Sequence, residues 1–183
     1  MSTQKLCFIA LLPPESVQAK ANAIKDHFAQ VYDSSHAKKS PPHITLQPPF
    51  KWEIEQVPTL KTTLEEFARF QTPVPVNLSG FGAFPPRVIY IHVEKTAELL
   101  AIQTSLMTDL EVKIGLVDAV AKSRPFVPHM TVAFRDLSQS NFRQAWEVYQ
   151  DQAFDSQFTV QALTLLIHNG KHWEIESNFP LAD

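Results

Sequence analysis

Residues 41–46 read Pro-Pro-His-Ile-Thr-Leu, and residues 127–132 read Val-Pro-His-Met-Thr-Val. From the second position on, the two stretches share a proline, a histidine, an apolar residue, a threonine and another apolar residue. Alternation of polar and apolar positions predicts a half-buried strand, in which alternate side chains share one face. We therefore expect the histidine and the threonine of each stretch on an open face, and the apolar residues in a core.

Two such faces opposed across a cleft would carry acid–base chemistry. His43 and His129 suit the two proton transfers of a phosphoryl transfer. The unperturbed imidazole pKa of about 6.5 allows the ring either to accept or to donate a proton. Thr45 and Thr131 add a hydroxyl beside each ring, which can donate a hydrogen bond to a phosphate oxygen. The residues alone leave open which imidazole is the acid and which is the base.

The same residues also have an ordinary structural interpretation. A single strand histidine is commonly satisfied by the backbone, and threonine favours strands in any case. The repetition of the same neighbours in both halves of the chain favours a functional pair instead. The alternative function is a nucleotide- or RNA-binding module without turnover. Retention of both histidines and both threonines argues against it, because binding alone needs no proton donor opposite a proton acceptor.

The two motifs resemble the paired H-x-T-x motifs of the 2H phosphoesterase superfamily. Within it they are most similar to the bacterial 2′-5′ RNA ligase and RNA 2′,3′-cyclic phosphodiesterase branch. The similarity covers essentially the whole chain. Residues 8–13 resemble the first strand of the family, residues 84–90 its mid-chain strand, and residues 173–175 and 179–181 its final strand.

This resemblance implies an activity and a role for each motif residue. Water attacks a 2′,3′-cyclic phosphate and the 3′ oxygen leaves, which gives a 2′-phosphate. With a 5′-hydroxyl as nucleophile, the same site would join RNA ends through a 2′-5′ bond. The resemblance implies His129 as proton acceptor, His43 as proton donor, and Thr45 and Thr131 as phosphate ligands. The substrate is then an RNA end or a cyclic nucleotide, and no metal or cofactor is expected.

Three further residues are candidates for substrate contact. Arg135 shares the face of His129 if the second motif strand continues unbroken to it. Arg124 precedes the second motif, and Phe50 follows the first, where its ring could stack on a base. For the arginines the alternative is a solvated loop charge, and for Phe50 it is core packing. His168 and His172 flank a turn, but no cysteine or dense carboxylate cluster joins them and further ligands would have to come from distant residues, so no zinc site is predicted.

Composition narrows the class of protein. The chain has 183 residues, 44% of them hydrophobic, and a net charge of −3. This describes a globular protein, and the negative charge argues against a broad, sequence-blind nucleic-acid groove. Cys7 is the only cysteine, so no intrachain disulfide can form, and a reducing, cytoplasmic compartment is expected. The apolar residues 6–12 read as a buried strand rather than a signal peptide or a membrane span. We expect a monomer without an obligate protein partner.

Hydrophobic periodicity and turn residues divide the chain into alternating elements. Pro48-Pro49 is expected to end the first motif strand, and Asn169-Gly170 predicts a hairpin turn. The order helix, motif strand, helix, strand, strand occurs twice. It predicts an α+β fold of two pseudo-symmetric lobes, each an antiparallel sheet with flanking helices, with the active-site cleft between them in one domain over residues 1–183. The predicted strands are 5–12, 43–47, 74–82, 87–93, 128–135, 157–167 and 171–178, and the predicted helices are 15–31, 58–70, 95–111 and 139–150.

Overall fold

The structure, a computed structural model, describes residues 3–183. Its strands are β1 (Gln4–Leu11), β2 (Ile44–Glu53), β3 (Val74–Phe84), β4 (Val88–Val93), β5 (His129–Ala133), β6 (Asp155–Val160), β7 (Ala162–His168) and β8 (Trp173–Pro180). Its helices are α1 (Glu15–Val31), α2 (Val57–Ala68), α3 (Ala97–Ile114), α4 (Ala119–Ser123) and α5 (Gln139–Tyr149). The four predicted helices are confirmed, and the short α4 was not predicted.

The strands form two antiparallel sheets of four strands each. The first sheet has the order β2-β1-β7-β8, and the second has the order β5-β4-β3-β6. The motif strands β2 and β5 therefore lie at an edge of their sheets, each paired with one neighbour. This arrangement confirms the predicted α+β fold with two antiparallel sheets and flanking helices.

The two lobes do not coincide with the two halves of the chain. After β2 and α2 the chain crosses to the second sheet, where β3 pairs with β4, and it returns to the first sheet only with β7. The single strand predicted over 157–167 is therefore wrong, because it consists of β6 and β7, separated at Gln161 and placed in different sheets. The apolar pattern runs through this point, but the pairing partner changes from β3 to β1.

The first motif strand continues past the two prolines that were expected to end it. β2 is an edge strand, and Pro48 and Pro49 are exposed there, where a missing N–H group costs no ladder hydrogen bond. The register also changes across them, from Ile9 opposite Gln47 to Cys7 opposite Phe50. The extra residue on β2 is a bulge, which accommodates the prolines without ending the strand.

The helices join the two lobes by packing crosswise. Helix α1 precedes the first motif strand but packs against β5, and α3 precedes the second motif strand but packs against β2 and β3. A continuous cluster of buried apolar side chains extends through both sheets and these helices. In the part of the chain that the structure describes, no helix is long and apolar enough to cross a bilayer.

Candidate active site

The alternation predicted for both motifs is confirmed. Ile44 and Leu46 are buried, and Thr45 is partly exposed opposite Ala10 of β1. In the second motif, Met130 and Val132 are fully buried, and Thr131 is partly exposed opposite Tyr90 of β4. His43 directly precedes β2, whereas His129 is the first residue of β5. Both histidine side chains are partly exposed.

Each imidazole makes the same hydrogen bond to the backbone. Nδ1 of His43 lies 2.7 Å from the carbonyl oxygen of Pro41, and Nδ1 of His129 lies 2.7 Å from that of Val127. A carbonyl oxygen only accepts, so Nδ1 carries the proton and donates in both rings. In the neutral rings Nε2 then holds the free lone pair. The two imidazoles are thus fixed in the same tautomer, each with Nε2 available to accept or return a proton.

Aromatic side chains from other strands of the same sheet pack against each imidazole. The ring centroid of Phe8 on β1 lies 4.7 Å from that of His43. In the second sheet Tyr90 and Phe84 lie 5.2 Å and 5.0 Å from His129. The ring of Tyr90 also covers Gly82, where an added Cβ atom would clash with it. These contacts restrict the orientation of the imidazoles and displace water from one side of each.

The surroundings of the two imidazoles favour their neutral forms. Burial, together with the positive charges of Lys25 and His129, lowers the pKa of His43 to about 4, against the opposing hydrogen bond to Pro41. Burial also lowers the pKa of His129, and its bond to Val127 opposes that shift. A proton on His129 therefore disfavours one on His43, so the pair favours states with at most one proton. This coupling disfavours the doubly protonated pair, in which neither imidazole could act as a base.

A cavity of about 1270 Å³ adjoins the motifs, between β2, α3 and the segment that contains α4. Thr45 and His129 are part of its wall, and His43 and Thr131 are not. Among the candidates for substrate contact, only Arg124 lines it. The other charged residues of its wall are Lys95, Glu111, Asp118 and Lys122, and Lys122 pairs with Glu111 across the cavity. The apolar part of the wall comprises Leu46, Pro48, Pro49, Phe84, Leu100, Met107, Val120, Ala121, Pro125, Phe126 and Val127.

The predicted roles of Phe50 and Arg135 are not supported by their positions. Phe50 belongs to the core with 9% exposure, so the core alternative is correct. Arg135 is off the strand, because β5 ends at Ala133 and Arg135 has a left-handed φ of 62°. Its guanidinium lies 5.7 Å from the ring of Phe134 instead of on the His129 face.

The next residue, Asp136, explains why the chain turns away there. Its carboxylate accepts hydrogen bonds from the Ser34 hydroxyl at 2.8 Å and from the backbone N–H groups of Ser35 and His36 at 2.9 and 2.8 Å. Burial tends to raise the pKa of this carboxyl, but the hydrogen bonds outweigh burial and hold it below its usual value. The loop before the first motif is therefore tied to the segment after the second.

The structure also brings residues to the site that the motifs did not identify. Phe8 and Tyr90 lie on the strands that pair with the two motif strands, and Lys25 on α1 lies close enough for its charge to act on His43. Residues 8 and 90 lie in apolar strands that each precede a helix and a motif, which is the signal that could have identified them. Lys25 lies four residues after the buried Ala21, on the covered face of α1, which is an unusual place for lysine.

Residues 3–183 contain no group of three histidine, cysteine or acidic side chains arranged to hold a metal ion. His168 and His172 belong to the predicted hairpin, where Nδ1 of His168 accepts a hydrogen bond from the backbone of Gly170. Cys7 is buried in β1, and its burial raises the thiol pKa to about 11, as expected for a residue that only packs.

Known proteins resemble this chain in sequence over nearly its whole length. The profile of the 2′-5′ RNA ligase superfamily matches residues 13–172. A protein of Bacillus pumilus, provisionally named a phosphoesterase, is 30% identical over 180 residues, which is 96% of each chain. A protein of Geobacillus kaustophilus with a similar provisional name is 29% identical over 175 residues, which is 93% of each chain.

Solved structures share the fold at lower identity. TT0787 of Thermus thermophilus superposes with a TM-score of 0.69 at 22% identity, over 97% of each chain. E. coli LigT without ligand superposes with a TM-score of 0.69 at 17% identity, over the full length of both chains. LigT complexed with 3′-AMP superposes with a TM-score of 0.67 at 18% identity, over 98% of this chain and 99% of LigT.

Proposed function

The chain belongs to the 2′-5′ RNA ligase superfamily, and on that premise we propose that it is a metal-independent RNA 2′,3′-cyclic phosphodiesterase. The observation that carries the proposal is the matched pair of imidazoles, both with Nδ1 bonded to a carbonyl and Nε2 left for chemistry. The proposed substrate is an RNA end or a small cyclic nucleotide. The reaction opens the cyclic phosphate to a 2′-phosphate.

In the proposed reaction two protons move and one phosphorus–oxygen bond is exchanged. Nε2 of His129 takes a proton from water as the water oxygen bonds to phosphorus. The bond from phosphorus to the 3′ oxygen breaks, and that oxygen receives the proton from Nε2 of a protonated His43. Thr45 and Thr131 donate hydrogen bonds to the non-bridging oxygens, where negative charge accumulates. A second water or the solvent restores the two protonation states.

The assignment of acid and base follows the family resemblance, and the electrostatics of His43 are compatible with it. An imidazolium whose pKa in the free protein is about 4 gives up its proton readily to an alkoxide. Such a group is mostly neutral before substrate arrives. The negative phosphate favours the imidazolium and raises its pKa, so the substrate itself helps to load the acid.

The cavity supports a substrate larger than a phosphate group. Its volume of about 1270 Å³ exceeds the 300–1,000 Å³ usual for small-molecule sites, and its wall mixes apolar side chains with Lys95, Lys122 and Arg124. A nucleotide joined to the reacting phosphate fits that combination of charge and apolar surface. E. coli LigT, which shares the fold, has been crystallised with 3′-AMP. With a 5′-hydroxyl in place of water, the same displacement would form a 2′-5′ linkage between two RNA ends.

The test is an activity screen of purified protein treated with EDTA, against 2′,3′-cyclic mononucleotides and oligoribonucleotides with cyclic phosphate ends. We expect hydrolysis to a 2′-phosphate that persists after chelation, with the double variant His43→Ala, His129→Ala as the inactive control. Loss of activity with EDTA and its return with zinc or manganese would overturn the metal-independent mechanism. Tight nucleotide binding without turnover would instead favour the non-catalytic binding module.

The pH profiles of kcat/KM and kcat report the pKa values of the free enzyme and of the enzyme–substrate complex, respectively. We expect bell-shaped profiles, because one imidazole must be neutral and the other protonated. Lowered pKa values of both histidines place the optimum of kcat/KM below about pH 6.5. Bound phosphate raises both pKa values, so the optimum of kcat should lie at higher pH. A rate that rises without a maximum to about pH 10 would contradict the paired-histidine mechanism.

The proposal also covers the cellular location and the oligomeric state of the protein. We propose a monomeric, cytoplasmic enzyme that needs no cofactor and no protein partner. Its single cysteine is buried, as suits a protein of a reducing compartment. Light scattering on the eluted protein measures the mass, and a mass of twice 20.7 kDa would contradict the monomer.

A further inference from the structure

Lys25 is a buried cation next to the proposed active site. Its side chain lies on α1 with 2% exposure, and its ammonium donates a hydrogen bond of 2.9 Å to the carbonyl oxygen of Ser40. Lysine is almost never fully buried unless it is paired with an acid. Within residues 3–183 no carboxylate lies within ion-pair distance of this ammonium. Burial lowers the pKa of Lys25 to about 8, so it still carries its charge at neutral pH.

The one hydrogen bond of Lys25 is made to the segment that orients His43. Ser40 directly precedes Pro41, and the carbonyl of Pro41 accepts the Nδ1–H group of His43. Two consecutive prolines, Pro41 and Pro42, restrict the backbone between the anchored carbonyl and the imidazole. A displacement of Ser40 would therefore be passed on to His43 instead of being absorbed by the chain.

The charge of Lys25 also reaches His43. Besides burial, Lys25 from α1 and His129 from β5 are the two titratable groups that act to lower the pKa of His43. In the described residues 3–183 no carboxylate forms an ion pair with this ammonium. The reacting phosphate, bound at His43 and Thr45, would bring the missing negative charge into the same region.

We propose that Lys25 is a positioning residue that acts through His43: it anchors residues 40–42 and supplies a buried positive charge that an anion in the cleft compensates. This inference rests on the proposed function for the identity of that anion, a phosphate. The site thus contains a preformed cation behind the imidazole, in addition to the hydroxyl donors at its front.

The test compares Lys25→Met with Lys20→Met in the full chain. Methionine keeps most of the length of the lysine side chain and removes its charge, and Lys20 is an exposed lysine on the same helix. Nuclear magnetic resonance titration of the histidine rings should show the pKa of His43 rising in Lys25→Met, because a nearby positive charge is removed, and unchanged in Lys20→Met. Affinity for inorganic phosphate should fall by about 3- to 30-fold only in Lys25→Met. Lys25→Arg, which keeps the charge, should restore most of both.

A folded Lys25→Met protein with the wild-type His43 titration and phosphate affinity would overturn the proposal. If Lys25→Met does not fold, the wild-type protein still provides a test. Its His43 signals should show a second inflection where Lys25 loses its proton, below the usual pKa of lysine, and the absence of any inflection up to about pH 10 would overturn the proposal.

Neither measurement requires turnover, so this proposal and the proposed function fail separately. A protein whose His43 responds to Lys25 but which hydrolyses no cyclic phosphate would overturn the function and keep the role of Lys25. A protein that hydrolyses cyclic phosphates, but whose His43 titration and phosphate affinity do not change in Lys25→Met, would keep the proposed function and overturn the role of Lys25.

Discussion

The two halves of the site carry the same motif in different surroundings. Both imidazoles bond to a backbone carbonyl at 2.7 Å and pack against an aromatic ring from the next strand. Phe8 and Tyr90, which provide those rings, lie on β1 and β4, the strands paired with the two motif strands. The helix after β1 contributes a buried cation, Lys25, whereas the helix after β4 contributes the apolar side chain of Met107 to the cavity wall.

This difference shows that the motif determines the tautomer of each imidazole, whereas the surrounding residues determine its charge and its access to the cavity. The motif and its proline fix the tautomer, which is therefore the same in both halves. The loop before His43 is held by Asp136 and Lys25, whereas the segment before His129 borders the large cavity. In the proposed reaction, the surroundings of His43 would hold its charge state, and those of His129 would admit the substrate.

The largest expected effect tests whether both halves are needed. His43→Ala and His129→Ala should each lower turnover by about 10²–10⁴-fold, because each removes one of the two proposed proton-transfer groups. Both should stay folded, since the side chains face the cleft, and His172→Ala in the exposed hairpin is the matched control. Steady-state rates and thermal unfolding give the answer, and a folded variant with full activity would remove that histidine from the mechanism.

The same pair of variants can reverse the assignment of roles. If His43 is the acid, the residual activity of His43→Ala should lose the alkaline limb of its pH profile. Loss of the acidic limb in that variant would make His43 the base and His129 the acid.

The second prediction uses folding stability instead of rate. The folded pKa of His43, about 4, lies below its unfolded value of about 6.5, so the unfolded chain binds more protons between these values. Stability should therefore fall as the pH drops from about 6.5 to about 4, by up to about 3 kcal/mol from this group. Urea unfolding at several pH values should show a smaller fall for His43→Gln than for wild type or His172→Gln. Equal falls in all three proteins would contradict the lowered pKa of His43.

The third prediction addresses the aromatic support of the second half. Gly82→Ala should displace the ring of Tyr90 from His129 and lower the free energy of unfolding by about 1–3 kcal/mol, as overpacking does. Ser79→Ala, at an exposed position on the same strand, is the control. Urea unfolding and the ring signals of His129 measure the two effects. Unchanged His129 signals would show that Tyr90 does not orient it.

The smallest effects are expected from the hydroxyl groups. Thr45→Val and Thr131→Val keep the β-branched shape, and each should cost about 0.5–1.5 kcal/mol of transition-state stabilisation, the usual value of one hydrogen bond. Thr62→Val on the exposed side of α2 should leave kcat/KM unchanged. A folded threonine variant as inactive as the histidine variants would mean that the hydroxyl does more than bind phosphate.

Local sequence patterns were sufficient to predict the secondary structure and the burial of residues wherever near neighbours in the sequence determine them. Helix α1 was predicted over residues 15–31, where it is found, and the burial of Ile44, Leu46, Met130 and Val132 follows from strand alternation. These outcomes depend on periodicity, which the sequence displays directly.

The sequence-based predictions were wrong where contacts between residues far apart in the chain determine the structure. Gln161 separates two strands that choose partners on different sheets, and no local signal marks that choice. Arg135 leaves the strand because Asp136 bonds to the loop at residues 34–36. Lys25 occupies a covered position on α1, where its ammonium bonds to the carbonyl oxygen of Ser40, and helical periodicity does not predict a buried lysine.

Because the first sheet is built from both ends of the chain, the two lobes can fold only in a certain order during synthesis. All strands of the second sheet lie within residues 74–160, so the lobe that carries His129 can be completed first. The first sheet needs β7 and β8, so His43, although made early, waits beside an incomplete sheet until residues 162–180 have left the ribosome. The part of the active site that is translated first is therefore the last to be assembled, and a nascent chain stopped before Ala162 would expose the edge of β1 to other chains.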